Sequence, residues 1–236
     1  MLTKNFPWKT LVWVTIFAIA MGFLENTVVV YLRILLYPQG FAFPLVPIPP
    51  FMALTEILRE SATLIMLIGV GVLAGKSSIS RFAWFLYTFA IWDIFYYIFL
   101  KLLLGWPQTW MTWDILFLIP TTWVGPVITP IIVSLTMIFL AILIVYFDSK
   151  KVNAKINGIE WFMFILGSVI LILSFIWDYS AFILEHYQFK QLGSVPSGDM
   201  VKLALEFIPR KFNWFLFCLG ELTIGAGIFL YWRRNN

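Results

Sequence analysis

The chain has 236 residues; 61% are apolar, only 12% are charged, and the formal charge is +4 at pH 7. An ordinary soluble domain is nearer half apolar and a quarter charged, so the composition excludes a water-soluble globule and indicates an integral membrane protein. One cysteine excludes an intrachain disulfide, and one histidine excludes bis-histidine haem and His-rich metal sites within the chain, leaving only a carboxylate-only metal site open; no cofactor, metal or nucleic-acid partner is expected.

The first apolar run covers 9–36. Lys4 and Lys9 precede it and Ala18-Ile-Ala20 imitates a signal-peptidase site, but the run is too long for a signal sequence. It therefore reads as an uncleaved first helix, with Glu25 about two-thirds along and Arg33 near its end. Residues 38–50, PQGFAFPLVPIPP, hold five prolines and no charge. Proline fixes φ and removes a donor, so this is an extended, rigid, greasy loop. The second run, 51–75, carries TEILRES, with Glu56, Arg59 and Glu60 within five residues. Glu56, Glu60 and Thr63 share one helical face.

The third run, 80–104, stacks Asp93, Tyr97 and Lys101 at four-residue spacing. Residues 105–123 follow, with Trp106, Trp110, Trp113 and Trp123 around the short apolar piece WDILFLIP and Asp114 inside it. That piece is too short to cross and reads as a re-entrant or interfacial segment. The fourth run, 124–147, starts with Pro126, tolerable in a first turn, and Pro130, expected to kink it. The fifth, 159–184, ends near Asp178, Glu185 and His186, which read as a solvated helix end. Residues 187–211 form the longest polar stretch, with a short amphipathic helix expected after Ser197 or Asp199. The sixth run, 212–233, carries Glu221 beside Gly220, with Gly225 and Gly227 beyond, suited to close helix approach.

Each run exceeds the ~20 residues needed to cross hydrocarbon. The fold class is thus all-α: a polytopic transmembrane bundle of six helices plus the short re-entrant or interfacial segment, forming one domain over 1–236. Lys4, Lys9, Lys76, Arg81, Lys150, Lys151, Lys155, Arg233 and Arg234 collect on one side of this layout. The positive-inside rule puts that side, and both termini, in the cytoplasm, for a multi-pass protein of the cell (inner) membrane.

Counting rise along each helix then places Glu25, Glu56, Arg59, Glu60, Asp93, Asp114 and Glu221 in the extracytoplasmic half. Asp93, Asp114 and Asp178 each follow a tryptophan. Neighbouring residues point about 100° apart on a helix, so the Trp-Asp step is a mark of depth and not a motif. Charges at membrane depth are expensive unless paired or hydrated, and seven of them on one side point to a shared wet pocket. Arg59 has Glu56, Glu25 and Asp93 as candidate partners; Arg33 and Lys101 are expected to reach outward to headgroups.

Three functions fit. The first is binding or transport of a small ligand, ion or lipid headgroup in that pocket. The second is an accessory subunit of a larger membrane complex, with the charges as a structural network and other membrane subunits as partners beside the bilayer. The third is a metal-independent membrane enzyme with a carboxylate pair, Asp93 with Asp114 or Glu60 with Asp93. Intramembrane aspartyl proteases resemble this arrangement broadly, but their Gly-x-Gly-Asp step is absent, and no Walker, Rossmann, zincin or Gly-x-Ser-x-Gly pattern occurs. The balance leans away from an enzyme. Six helices with cytoplasmic termini, an outer-half site and the small-residue step Ala18-x-x-x-Gly22 resemble the substrate-binding subunits of energy-coupling-factor vitamin transporters. That likeness implies a binding subunit whose first helix contacts a partner.

Overall fold

The computed structural model describes residues 5–119, 121–150, 155–187 and 203–236. Six of its helices are long and apolar enough to cross a membrane: α1 (Trp8–Leu36), α2 (Pro50–Ala74), α3 (Ser78–Leu104), α4 (Ile128–Ser149), α5 (Gly158–His186) and α6 (Trp214–Asn235). A helix satisfies its backbone groups internally, which lipid requires. The surface inverts the soluble pattern: Trp13, Phe51, Leu73, Phe162 and Phe215 all point outward. The chain is an integral, multi-pass membrane protein in contact with the bilayer.

Local chemistry sets the helix ends. Ser77 and Ser80 form a reciprocal capping box at the start of α3, and Gly105 closes that helix in the left-handed region at φ 67°. Asn157 and Glu160 form the same box on α5, and Asn213 caps α6. Pro50 opens α2, where its missing N–H has no partner to lose. Pro130 falls in the first turn of α4, which starts only at Ile128, so its missing N–H removes no intrahelical hydrogen bond. Pro126 belongs to a strand before the helix.

The segment between α3 and α4 is a β-hairpin, with β1 (Trp113–Phe117) antiparallel to β2 (Trp123–Pro126). Asp114 pairs in register with Gly125, and a slip between Ile115 and Phe117 bends the ribbon. The N–H of Val127 donates to Thr112 O and that of Ile128 to Trp110 O, so the hairpin runs directly into α4. Two strands alone are marginal in water or lipid; this pair is held by its contacts with the bundle.

α3 is the centre of the first four helices. α1, α2 and α4 pack along it, while α1 and α2 touch each other little. Gly22 lets α1 approach α3 until an added Cβ would lie 3.1 Å from Trp92 O, and Ala18 is fully buried. The Ala18–Gly22 step, expected to meet a partner helix, is occupied inside this chain. α5 and α6 form a tight pair through Gly167 and Gly220, where a Cβ on either would lie 3.0 Å from the other's carbonyl oxygen. Gly227 serves the same seam, but Gly225 does not: nothing stands within 4 Å of its Cβ position.

The end of the bundle holding the chain termini has an apolar core. Val14, Trp84, Ile144, Phe147, Phe164 and Tyr231 join α1, α3, α4, α5 and α6 in one apolar cluster. The opposite end carries the hairpin, the proline-rich loop and residues 203–213. There Phe41 packs on Trp106, and Phe43 and Tyr179 pack on Phe207. Of the amphipathic helix expected after Ser197 or Asp199, both capping candidates lie outside the described residues; the described part, 203–206, is helical.

Candidate functional site

A cavity of about 490 Å³ opens among α1, α2, α3, the proline-rich loop and the hairpin. Six of the seven sequence-derived site residues line it: Glu25, Glu56, Arg59, Glu60, Asp93 and Asp114. Arg33 lines it too. The seventh, Glu221, does not; it faces a separate groove between α4 and α6. Glu221 shares the depth of the other six but not their azimuth, which depth along a helix does not specify.

Each charged group is held by a named neighbour. The Arg59 guanidinium donates to Glu56 Oε2 through Nε at 2.9 Å and Nη2 at 2.7 Å, and Nη1 meets Glu25. Glu25 also accepts from the Thr63 hydroxyl at 3.0 Å. Asp93, the third candidate partner of Arg59, instead accepts from Ser134 on α4 at 2.9 Å. Glu60 accepts the backbone N–H of Leu118 at 3.0 Å, joining α2 to the tip of the hairpin. The Glu56, Glu60 and Thr63 face therefore does converge on the cavity, as helical spacing requires.

Arg33 corrects an expectation. Its side chain does not reach out to headgroups; it is 7% exposed and donates to Asp114 Oδ1 at 2.8 Å. Two aromatic faces make this possible. The guanidinium lies 3.9 Å from the Trp106 ring centre and 4.4 Å from that of Phe41, a cation–π sandwich that replaces solvent. Asp114 is 1% exposed and also lies 3.3 Å from the Tyr97 hydroxyl. Burial pushes the Asp114 carboxyl above its ordinary range; the Arg33 guanidinium, the Ile115 N–H and the Tyr97 hydroxyl pull it back without cancelling the rise. The pair fastens the hairpin to α1 and α3.

Lys101 turns to the end of its own helix, donating to Gly105 O at 3.0 Å and Pro107 O at 2.9 Å. Asp178 and Glu185 sit at an exposed helix end, as expected, but both hold Arg210: Asp178 accepts its N–H at 2.7 Å and Glu185 its guanidinium at 3.0 and 3.1 Å. The three Trp-Asp steps thus share one end of the bundle and have three different partners. Asp93 and Asp114 take separate donors, as do Glu60 and Asp93. Among the described residues no three His, Cys, Asp or Glu side chains converge as a metal site.

Five carboxylates and two guanidiniums therefore face one cavity. Arg33 offsets Asp114, and Arg59 offsets one of Glu25 and Glu56. The remainder is an excess of acceptors, held in place by their neighbours. Among the described residues, Arg33 Nη1 and the indole N–H of Trp92 are buried with no hydrogen-bond partner. Ser134, Trp92 and Trp106 were not legible as site residues. Ser134 sits in an apolar helix, and the tryptophans were indistinguishable from interface anchors.

No protein-family model matches the chain, and no curated protein or solved structure is significantly similar to it.

Proposed function

We propose that this membrane protein binds a small ligand with an apolar body and a basic head in the cavity beside the hairpin. One observation carries the reading: five carboxylates against two guanidiniums around about 490 Å³ of mainly apolar wall. Pockets for small ligands fall in this size range, with a few placed polar groups in an apolar lining. An ammonium or guanidinium entering it would meet Glu60 and Asp93, each with only neutral donors of its own. The reading extends to orientation. Lys9, Lys76, Arg81, Lys150, Lys155, Arg233 and Arg234 lie toward the end with the chain termini, so the cavity belongs to the extracytoplasmic half of the cell membrane.

The apolar cluster at the other end offers no polar lining for a route inward. That favours binding over free passage, and transport would need a second conformation in which this cluster separates. The test is a thermal-melting series on the purified chain in lipid nanodiscs, using arylalkylamines and carboxylic acids of the same carbon skeleton. Amines are expected to raise Tm and the acids to leave it unchanged. Glu60→Gln with Asp93→Asn should remove the response without lowering the ligand-free Tm. Equal responses to amines and acids would overturn the proposal.

A further inference from the structure

Among the described residues, β1 pairs with β2 on one side and with no strand on the other. Asp114, Ile115, Leu116, Phe117 and Leu118 line the first cavity in succession, and no residue of β2 does. Successive side chains of a strand point to opposite faces, so an unbroken run of lining residues presents an edge and not a face. The cavity therefore lies along the unpaired backbone of β1.

The ladder decides which backbone groups point into it. The N–H of Val127 donates to Thr112 O at 3.0 Å. Bonded and non-bonded pairs alternate in an antiparallel ladder, so Asp114 and Gly125 form the next bonded pair, and Trp113 and Ile115 turn their backbone groups outward. Pro126, opposite Trp113, accordingly loses no ladder bond. Carboxylates already meet the N–H groups of this edge: Asp114 takes that of Ile115, and Glu60 takes that of Leu118 at 3.0 Å. What the edge offers a ligand is its carbonyl oxygens, that of Ile115 first. A ligand lying along it is matched by donors, as its head is matched by donors at Glu60 and Asp93.

The direction follows from the depth of the two fastenings. Asp114 is held by Arg33, three residues from the end of α1. Leu118 is held by Glu60, ten residues into α2 and ~15 Å along its axis. The hairpin tip thus points into the bundle, and its base lies toward the loop end. A head at Glu60 leaves the rest of the ligand running from tip to base, antiparallel to β1.

We infer that the cavity binds the N-terminal segment of an extended peptide, which adds a third strand antiparallel to β1 and sets its α-ammonium at Glu60 and Asp93. This rests on the basic-ligand reading and names the class of that ligand. In strand addition, main-chain hydrogen bonds to a free edge supply affinity, and pockets take alternate side chains. A simple amine has the head but none of the amide donors.

The experiment titrates the full chain in lipid nanodiscs with Leu-Ala-Leu amide, by isothermal calorimetry. Its comparisons are hexylamine, the N-acetylated peptide, and two peptides N-methylated at the second or the third residue. The free peptide should bind about tenfold more tightly than hexylamine, and acetylation should abolish binding. Adjacent N–H groups of a strand point to opposite sides. One N-methylation should therefore weaken binding about fivefold to tenfold, the size of one hydrogen bond, and the other should change it little. Glu60→Gln with Asp93→Asn should bring the free peptide down to the acetylated one. Equal affinity for peptide and hexylamine, or equal effects of the two N-methylations, would overturn the added strand and leave the basic-ligand reading standing. Equal binding of the free and acetylated peptides, or no binding of peptide and amine alike, would overturn both.

Discussion

The two ends of the bundle treat acidic residues differently. At the end with the chain termini, Glu160 is 1% exposed and has its acceptors filled: one carboxylate takes the Asn157 N–H and a two-pronged contact from Arg234. No cavity touches it among those described. At the hairpin end, five carboxylates and two guanidiniums line one open cavity, and two of those carboxylates, Glu60 and Asp93, have only neutral hydrogen-bond donors. Both arrangements are ordered. The difference is capacity left over, and that separates a carboxylate that fastens a helix from one that can receive a ligand.

The largest effect should come from cutting the buried Arg33–Asp114 pair at the hairpin end. Asp114→Ala leaves Arg33 buried between Phe41 and Trp106 without its carboxylate, and should cost about 3–5 kcal/mol in a denaturant titration in detergent micelles. Replacing both partners, Arg33→Met with Asp114→Leu, should recover most of that loss, because the desolvated charges go together. If the single and double variants unfold alike, the pair is not what holds the hairpin.

Packing at the α5–α6 seam comes next. Gly167→Ala puts a Cβ 2.6 Å from Ile224 Cγ1 and 3.0 Å from Gly220 O. Overpacking of this kind should cost about 1–3 kcal/mol. Thermal melting would measure it, and amine binding in the cavity should not change.

Glu160→Gln should be milder. The glutamine oxygen can still cap α5, and Arg234, about one-third exposed, can turn to water. A loss of about 1 kcal/mol is expected, with no effect on any ligand response. Smallest in stability is Glu60→Gln, within about 0.5 kcal/mol of wild type, since its oxygen can still accept from Leu118. Its ligand effect should be the largest of the set, a more than tenfold weaker amine response. A Glu60→Gln protein that unfolds easily would place Glu60 with Glu160 as a fastening residue.

The helices were legible because apolar length alone specifies a span; each of the six lies within a few residues of its expected bounds. The convergence of Glu25, Glu56, Arg59, Glu60, Asp93 and Asp114 was legible because charge at one depth must be paired or hydrated. Azimuth was not. Glu221 has the right depth and the wrong face, and no pattern in GELTIGAG distinguishes the two. Arg33 was misplaced because two aromatics from distant segments, Phe41 and Trp106, supply its shelter. The hairpin was hidden for a similar reason. Its strands are short, and Asp114 holds its place through α1 and α3, contacts that a local reading of WDILFLIP does not contain.

The most direct measurement is native mass spectrometry of the chain extracted in native membrane discs, beside a Glu60→Gln, Asp93→Asn double variant. The account predicts one small basic molecule per chain in the wild type, absent from a double variant that is still folded. A stoichiometric partner protein with no small molecule, and an unchanged double variant, would contradict it and make the acid cluster a structural network.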